Sequence, residues 1–262
     1  MVIFLVTFGI FAGGGAEAND ENPLVVGMEL QYPPFEFSDP DGNASGISVD
    51  MAMAFGEYLG RPVEIRNIEW TGLIPALRTG SVDVVISSMT ITSERDEQID
   101  FSIPYAQSGL TLLVHADSPV TQESDLLGPD IVLAVKSGTT GALTARDTFP
   151  QAEIRVFDTV SACVLEVSQG KADAFIYDAL TVYENWRNNA DTTRPVFQAL
   201  DGTFGYWGAG FQEGSELQNE MNAFIREFRS DGGFDALAEV YLADIKSVFE
   251  EENVPFFFDV EG

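Results

Sequence analysis

Arg95 closes the stretch Ile86-Ser-Ser-Met-Thr-Ile-Thr-Ser-Glu-Arg95, and three hydroxyl residues, Ser87, Ser88 and Thr90, precede it. A guanidinium fork can grip a carboxylate through two parallel hydrogen bonds. The apolar run Val82, Val84, Val85, Ile86 reads as a strand, and open α/β sheets bind ligands at the carboxyl ends of their strands. A short helix opening at Thr92 or Ser93 would set Arg95 just behind the hydroxyls. Those residue types at that spacing suit a pocket for a small carboxylate better than a nucleophile or a metal.

Other segments could complete such a pocket. Ser137-Gly-Thr-Thr140 follows a strand-like run and opens a helix, so the amides around Thr139 and Thr140 form an anion-friendly nest as well as an ordinary helix start. Asp178 follows the run Ala174-Phe-Ile-Tyr177; local sequence alone allows a helix cap or an acid facing an ammonium. Glu29 and Tyr32 lie in Glu29-Leu-Gln-Tyr-Pro-Pro-Phe-Glu-Phe37, where Phe35 and Phe37 read as core, as does Trp70 on composition alone. A free amino acid carries a carboxylate and an ammonium, and burying either unpaired is prohibitive, so its site must hold a cation, an anion and polar donors.

The elements that would position these groups alternate in type. Leu24-Val-Val-Gly-Met reads as a strand, Val49 to Leu59 as a helix ended by Gly60, and Pro62-Val-Glu-Ile-Arg66 as a strand. Gly72 to Thr79 reads as a helix stopped by Gly80, before the strand Val82 to Ile86. Further on, Leu110 to Val114, Ile131 to Val135 and Ala174 to Tyr177 are strands. Thr140 to Arg146, Ser161 to Gln169 and a segment from Ala179 to Asn188 are helices. Gly202 to Phe211 is strand-like, and helices follow over Glu216 to Arg229 and Phe234 to Ala243. Such alternation predicts largely parallel sheets.

Composition narrows the class. The 262 residues are 45% hydrophobic and 21% charged, which is globular, and suffice for one large domain or two lobes. The formal net charge of −29, with lysine only at Lys136, Lys171 and Lys246, disfavours nucleic acid and anionic lipid as partners. Carboxylates in such excess repel one another less as salt shortens the screening length, so the chain is expected to work in high salt. Val2 to Ala12 is apolar and Ala16-Glu-Ala18 fits a cleavage site, which predicts a signal peptide or hydrophobic leader over residues 1–18, although a positive n-region is missing. The single cysteine, Cys163, forms no internal disulfide and reads as core. The single histidine, His115, has no evident catalytic partner, and no nucleophile elbow, HExxH, metal-ligand spacing or phosphate loop occurs. No catalytic residue, metal or cofactor is expected.

Trp70-Thr-Gly-Leu-Ile-Pro-Ala-Leu, Ser88-Met-Thr-Ile-Thr-Ser-Glu-Arg95, Asp100-Phe-Ser-Ile-Pro-Tyr105 and Val135-Lys-Ser-Gly-Thr-Thr140 stand in the order found in the extracytoplasmic polar-amino-acid-binding proteins of ABC importers, and from about Leu24 to Ile245 the chain resembles that family. The resemblance implies an α/β, two-lobed type II periplasmic-binding-protein fold, each lobe a mainly parallel sheet flanked by helices, joined by two crossing hinge strands. It divides the chain into lobe 1 (24–108 plus 206–250), lobe 2 (109–205) and a tail (251–262) without assigned role. It assigns the ligand carboxylate to Arg95, Ser88, Thr90 and the Ser137 to Thr140 turn, the ammonium to Asp178, and the side chain to Glu29, Tyr32 and Trp70. With Ser87, Lys136, Thr139, Thr140 and Tyr177 these form the candidate ligand-binding set. Glu29 would favour a basic ligand and Lys136 glutamine or an acidic one, unless the two pair with each other. The implied function is capture of a polar L-amino acid, glutamine or a basic one, by lobe closure. The implied partner is an ABC-type permease, met as a monomer outside the cytoplasmic membrane. A ligand-sensing subunit, or an enzyme of the cyclohexadienyl dehydratase kind, are the alternatives.

Overall fold

The computed structural model describes residues 22–260; the expected leader lies outside them. Two five-stranded sheets organise the chain. The first runs Val63–Asn67, Leu24–Met28, Val84–Val85, Gly210–Phe211, Asp100–Phe101, and the second runs Glu153–Phe157, Val132–Lys136, Ala174–Asp178, Leu110–His115, Thr193–Val196. In each, the first three strands pair in parallel and the others join through antiparallel pairs. Each sheet is therefore mixed, because the chain enters and leaves the second one through strands that reverse direction. Between the sheets, Ala106–Ser108 and Gly205–Trp207 pair antiparallel. These are the only covalent connections between the two halves among the described residues.

Helices cover both sheets because their apolar faces match the sheet surfaces. Ile47–Leu59 buries Met51, Ala52 and Phe55 against Leu24, Val26 and Val84. It ends at Gly60, whose φ of 68° is in the left-handed region that a residue without Cβ adopts freely. Thr140–Thr148 approaches the second sheet so closely that a Cβ on Gly141 would lie 2.5 Å from the Ile176 carbonyl oxygen. Cys163 is fully buried in the second lobe's core.

The strand-like Gly202 to Phe211 segment resolves into two pieces in different sheets, Gly205–Trp207 and Gly210–Phe211. Past Gly233–Tyr241 a further helix not read from the sequence, Ala243–Glu251, leads into the tail. It buries only Ile245 and Phe249 among exposed acids, a stripe too sparse to read from sequence. The chain then turns back, and Phe257 packs at 4.9 Å from Phe35 and 5.5 Å from both Trp207 and Phe249, between ring centres. Gln107 of the crossing strand donates its backbone N–H to the Phe257 carbonyl (2.8 Å) and its amide to that of Asp259 (2.8 Å). The tail thus belongs to the back of the hinge. No helix of the described residues is long and apolar enough to cross a membrane.

Candidate functional site

A cleft of about 600 Å³, solvent at its mouth included, opens where the two lobes face each other. Its walls hold Glu29, Tyr32, Trp70, Ser87, Ser88, Thr90, Arg95, Thr139, Thr140, Tyr177 and Asp178, which is every residue of the predicted set except Lys136.

Arg95 follows from local sequence. Thr92 caps the short helix Ser93–Asp96, accepting from the Arg95 backbone N–H at 3.3 Å. Arg95 is only 5% exposed, yet its guanidinium donates solely to carbonyls: Thr90 at 2.6 Å and Gly138, across the cleft, at 3.2 Å. It also lies 5.1 Å from the centre of the Trp70 ring. Burial lowers its pKa to about 10, so it remains a cation at neutral pH. No acid of the described residues forms an ion pair with it.

Across the cleft, Thr139 caps Thr140–Thr148 and Asp178 caps Ala179–Asn188. Asp178 accepts from the Thr181 amide (3.0 Å) and hydroxyl (2.9 Å), and also from the Tyr32 hydroxyl of the other lobe (2.8 Å). The cap and the cleft-facing acid are therefore the same carboxyl group. Burial raises its pKa, and the bonds from Thr181 and Tyr32 pull it partly back. Burial, then the neighbouring Asp178 charge, raises the Tyr32 and Tyr177 phenols well above their usual range. Trp70 donates its indole N–H to the Gly138 carbonyl (2.9 Å), a third hydrogen bond between the lobes. Gly138 sits at φ 69°, and a Cβ there would crowd Thr71 and Trp70 at 3.3–3.4 Å. Tyr32 stacks on Phe35 with ring centres 5.4 Å apart.

Lys136 does not line the cleft: it is 2% exposed, and its Nζ is bonded to Glu29 Oε2 in an ion pair between the lobes. The opposing preferences read from Glu29 and Lys136 therefore cancel. The sequence reading missed Glu36, Ser108, Gly109, Leu110, Thr203 and Trp207 on the cleft wall. Glu36 is the informative one. Its carboxyl accepts from Ser48 (2.6 Å), Ser88 (3.1 Å) and Ser87 (3.4 Å). Burial lifts its pKa to about 8, against the lowering effect of those hydroxyls. A glutamate between two phenylalanines in a segment otherwise read as core was the available signal. Ser88 meets Glu36 from a backbone at φ 49°, uncommon for serine. No group of three or more potential metal ligands is clustered among the described residues.

Two sheets, paired crossing strands and a polar cleft between lobes define a two-lobed ligand-capturing protein. The match to the model of the bacterial extracellular solute-binding proteins, family 3, spans residues 24–244, and the chain belongs to that family. The L-cystine-binding protein TcyJ of Escherichia coli is 29% identical over 87% of this chain and 86% of its own. Among solved structures, an ancestral amino acid-binding protein described as a precursor of cyclohexadienyl dehydratase is 36% identical (TM-score 0.75; 84% of this chain, 94% of that one). A binding component of an ABC transporter from Wolinella succinogenes, complexed with lysine, is 32% identical (TM-score 0.78; 86% of this chain, 97% of that one).

Proposed function

We propose that the protein captures a polar L-α-amino acid between its lobes and delivers it to an ABC-type permease outside the cytoplasmic membrane. The observation that carries this reading is Arg95, a buried cation with only carbonyl acceptors, set in one cleft with Asp178, a buried acid with hydroxyl and amide donors but no cation. The α-carboxylate and α-ammonium of an amino acid complement that pair, and leaving either charge uncompensated would be costly. Both lobes contribute, so ligand favours the closed arrangement and shifts the population toward it. Lobe 1 comprises 24–108 and 206–250 and lobe 2 comprises 109–205. The chain acts as a monomer without cofactor or nucleic acid, and residues 1–18 are a signal peptide or hydrophobic leader.

A thermal-shift screen against the common amino acids, ornithine, citrulline and dicarboxylates tests the reading. At a hundredfold excess over Kd a ligand adds about 2.7 kcal/mol, or roughly 5–10 °C at this size. A shift confined to α-amino acids supports capture, and no shift with any of them contradicts it.

The charge of −29 supports work in high salt. Stability is expected to rise between dilute buffer and molar sodium chloride as repulsion is screened; an unchanged melting temperature would remove that part. A dehydratase reading draws on Glu36, whose raised pKa suits a general acid. We assign no catalytic step to it, and ligand recovered unchanged after long incubation is the expected result.

A further inference from the structure

We propose that Phe257 is a positioning residue for the cleft: from behind the hinge, the C-terminal segment 252–260 holds the rings that aim Tyr32 at Asp178, and so sets how readily the lobes close. The segment lies outside residues 24–244, the span over which the chain matches its family.

The chain reaches that position by a local reversal. After Ala243–Glu251, Asn253 adopts a left-handed backbone (φ 54°), the Val254 N–H donates to the Phe249 carbonyl (2.8 Å) and the Asn253 N–H to that of Glu250 (3.3 Å). That pair of bonds turns a chain back at a helix end, and asparagine tolerates the left-handed residue it needs. The returning segment is then tied to the crossing strand Ala106–Ser108. Gln107 donates its backbone N–H to the Phe257 carbonyl (2.8 Å), and its amide to the carbonyls of Phe256 (3.2 Å) and Asp259 (2.8 Å). Gln107 is buried, so water does not compete freely for those bonds.

Phe257 is 1% exposed and does not line the cleft. Its ring meets Phe35 and Trp207, with centres 4.9 and 5.5 Å away. These are the two rings that hold Tyr32: Phe35 stacks on it at 5.4 Å and Trp207 meets it edge-on at 5.9 Å. The Tyr32 hydroxyl then bonds Asp178 of the other lobe at 2.8 Å. Trp207 belongs to the second crossing strand, so the tail engages one strand through Gln107 and the other through the Phe257 ring. The helix that Asp178 caps buries Ala179 and Leu180 in the same apolar cluster as Phe257. Both ends of the Tyr32–Asp178 bond therefore lean on that cluster.

A close-packed interior passes on the loss of a ring, because its neighbours move into the space. Without the Phe257 ring, Phe35 and Trp207 lose a partner, and Tyr32 loses the backing that aims it across the cleft. The closed arrangement is then less populated, and apparent affinity falls with the competent fraction. The effect on affinity rests on the amino-acid reading above; the effect on closure does not.

The test is a double-mutant cycle on the intact, ligand-free protein, Phe257→Leu against Tyr32→Phe. It is read as the distance between spin labels at exposed positions on the two lobes, Glu57→Cys and Gln151→Cys; the native Cys163 is buried and stays unlabelled. Phe257→Leu keeps an apolar side chain in the core, and urea unfolding checks that each variant is folded. Each substitution should move the distribution toward more separated lobes. The pair should move it no further than Tyr32→Phe alone, because both act through one bond. Gln107→Met, which keeps every ring but releases the tail, should move it the same way. With L-arginine, L-lysine and L-glutamine as probes, Phe257→Leu should weaken those that bind by about tenfold, equally for each, since they share the lost population. An unchanged distribution in Phe257→Leu, or shifts that add to those of Tyr32→Phe, would overturn the positioning role and leave amino-acid capture standing. The expected distance shifts with no amino acid bound in the wider screen would overturn capture and leave the positioning role standing.

Discussion

On the second-lobe side of the cleft the polar groups stand at helix starts. Thr139 and Asp178 each bond an amide three residues ahead, so their geometry is set by a few neighbours in sequence. On the first-lobe side Arg95 is set by its local Thr92 cap, but the acids are placed by residues far off in sequence. Glu36 meets Ser48 across 12 residues, Ser87 across 51 and Ser88 across 52, and the Glu29 amide bonds Ser87 across 58. The local wall presents fixed donors and one acid, as any α-amino acid requires. The assembled wall holds Glu36, a buried carboxyl whose pKa burial raises to about 8.

The largest effect that could break this contrast lies where the walls join. Lys136→Met would leave Glu29 as an unpaired buried charge, a cost of about 3–5 kcal/mol. Because the pair spans the lobes, the loss should appear as an opened cleft by small-angle scattering and an affinity lower by about a hundredfold or more. Glu29→Gln with Lys136→Met should recover most of it; no recovery would show that the two residues act separately.

Arg95→Ala comes next, with an affinity loss of about 2–5 kcal/mol for every α-amino acid ligand and an unchanged circular dichroism spectrum. Retained affinity would take the carboxylate away from this residue. Asp178→Asn keeps a competent helix cap, so stability should move by only a few tenths of a kcal/mol. Affinity for ligands with a free α-ammonium should nevertheless fall about tenfold to a hundredfold, and that for their α-hydroxy analogues much less. Equal losses for both would make Asp178 a cap alone.

A pH profile sharpens the assembled wall. A carboxyl raised from 4.5 to about 8 in the folded state holds a proton that the unfolded chain has lost. Its contribution to stability is full below pH 4.5 and falls by about 1.4 kcal/mol per pH unit as pH rises toward 8. Relative to Glu36→Gln, the native protein should lose urea resistance over that window. Parallel pH profiles would mean that Glu36 is already ionised.

The tail makes the same point on the back of the hinge. Phe256, Phe257 and Phe258 could be seen in the sequence as an apolar cluster without a role. In the structure Phe257 stands behind Phe35, which stacks on Tyr32, which bonds Asp178 across the cleft. No periodicity in residues 252–260 points to Gln107, because the bonds between them cross about 150 residues of chain.

The sequence by itself determined the alternation of strands and helices, the Thr92, Thr139 and Asp178 helix starts and the candidate cation, since each depends on hydrophobic period or capping chemistry within a few residues. It also made visible that Glu29 and Lys136 could pair. Only the tertiary structure decided that they do, that Glu36 faces the cleft, and that the tail backs the hinge. Those outcomes depend on which segments meet across the lobes and on how much water their meeting excludes. Burial then sets which carboxyl keeps its proton, a property of the assembled surroundings and not of the glutamate's own neighbours in sequence.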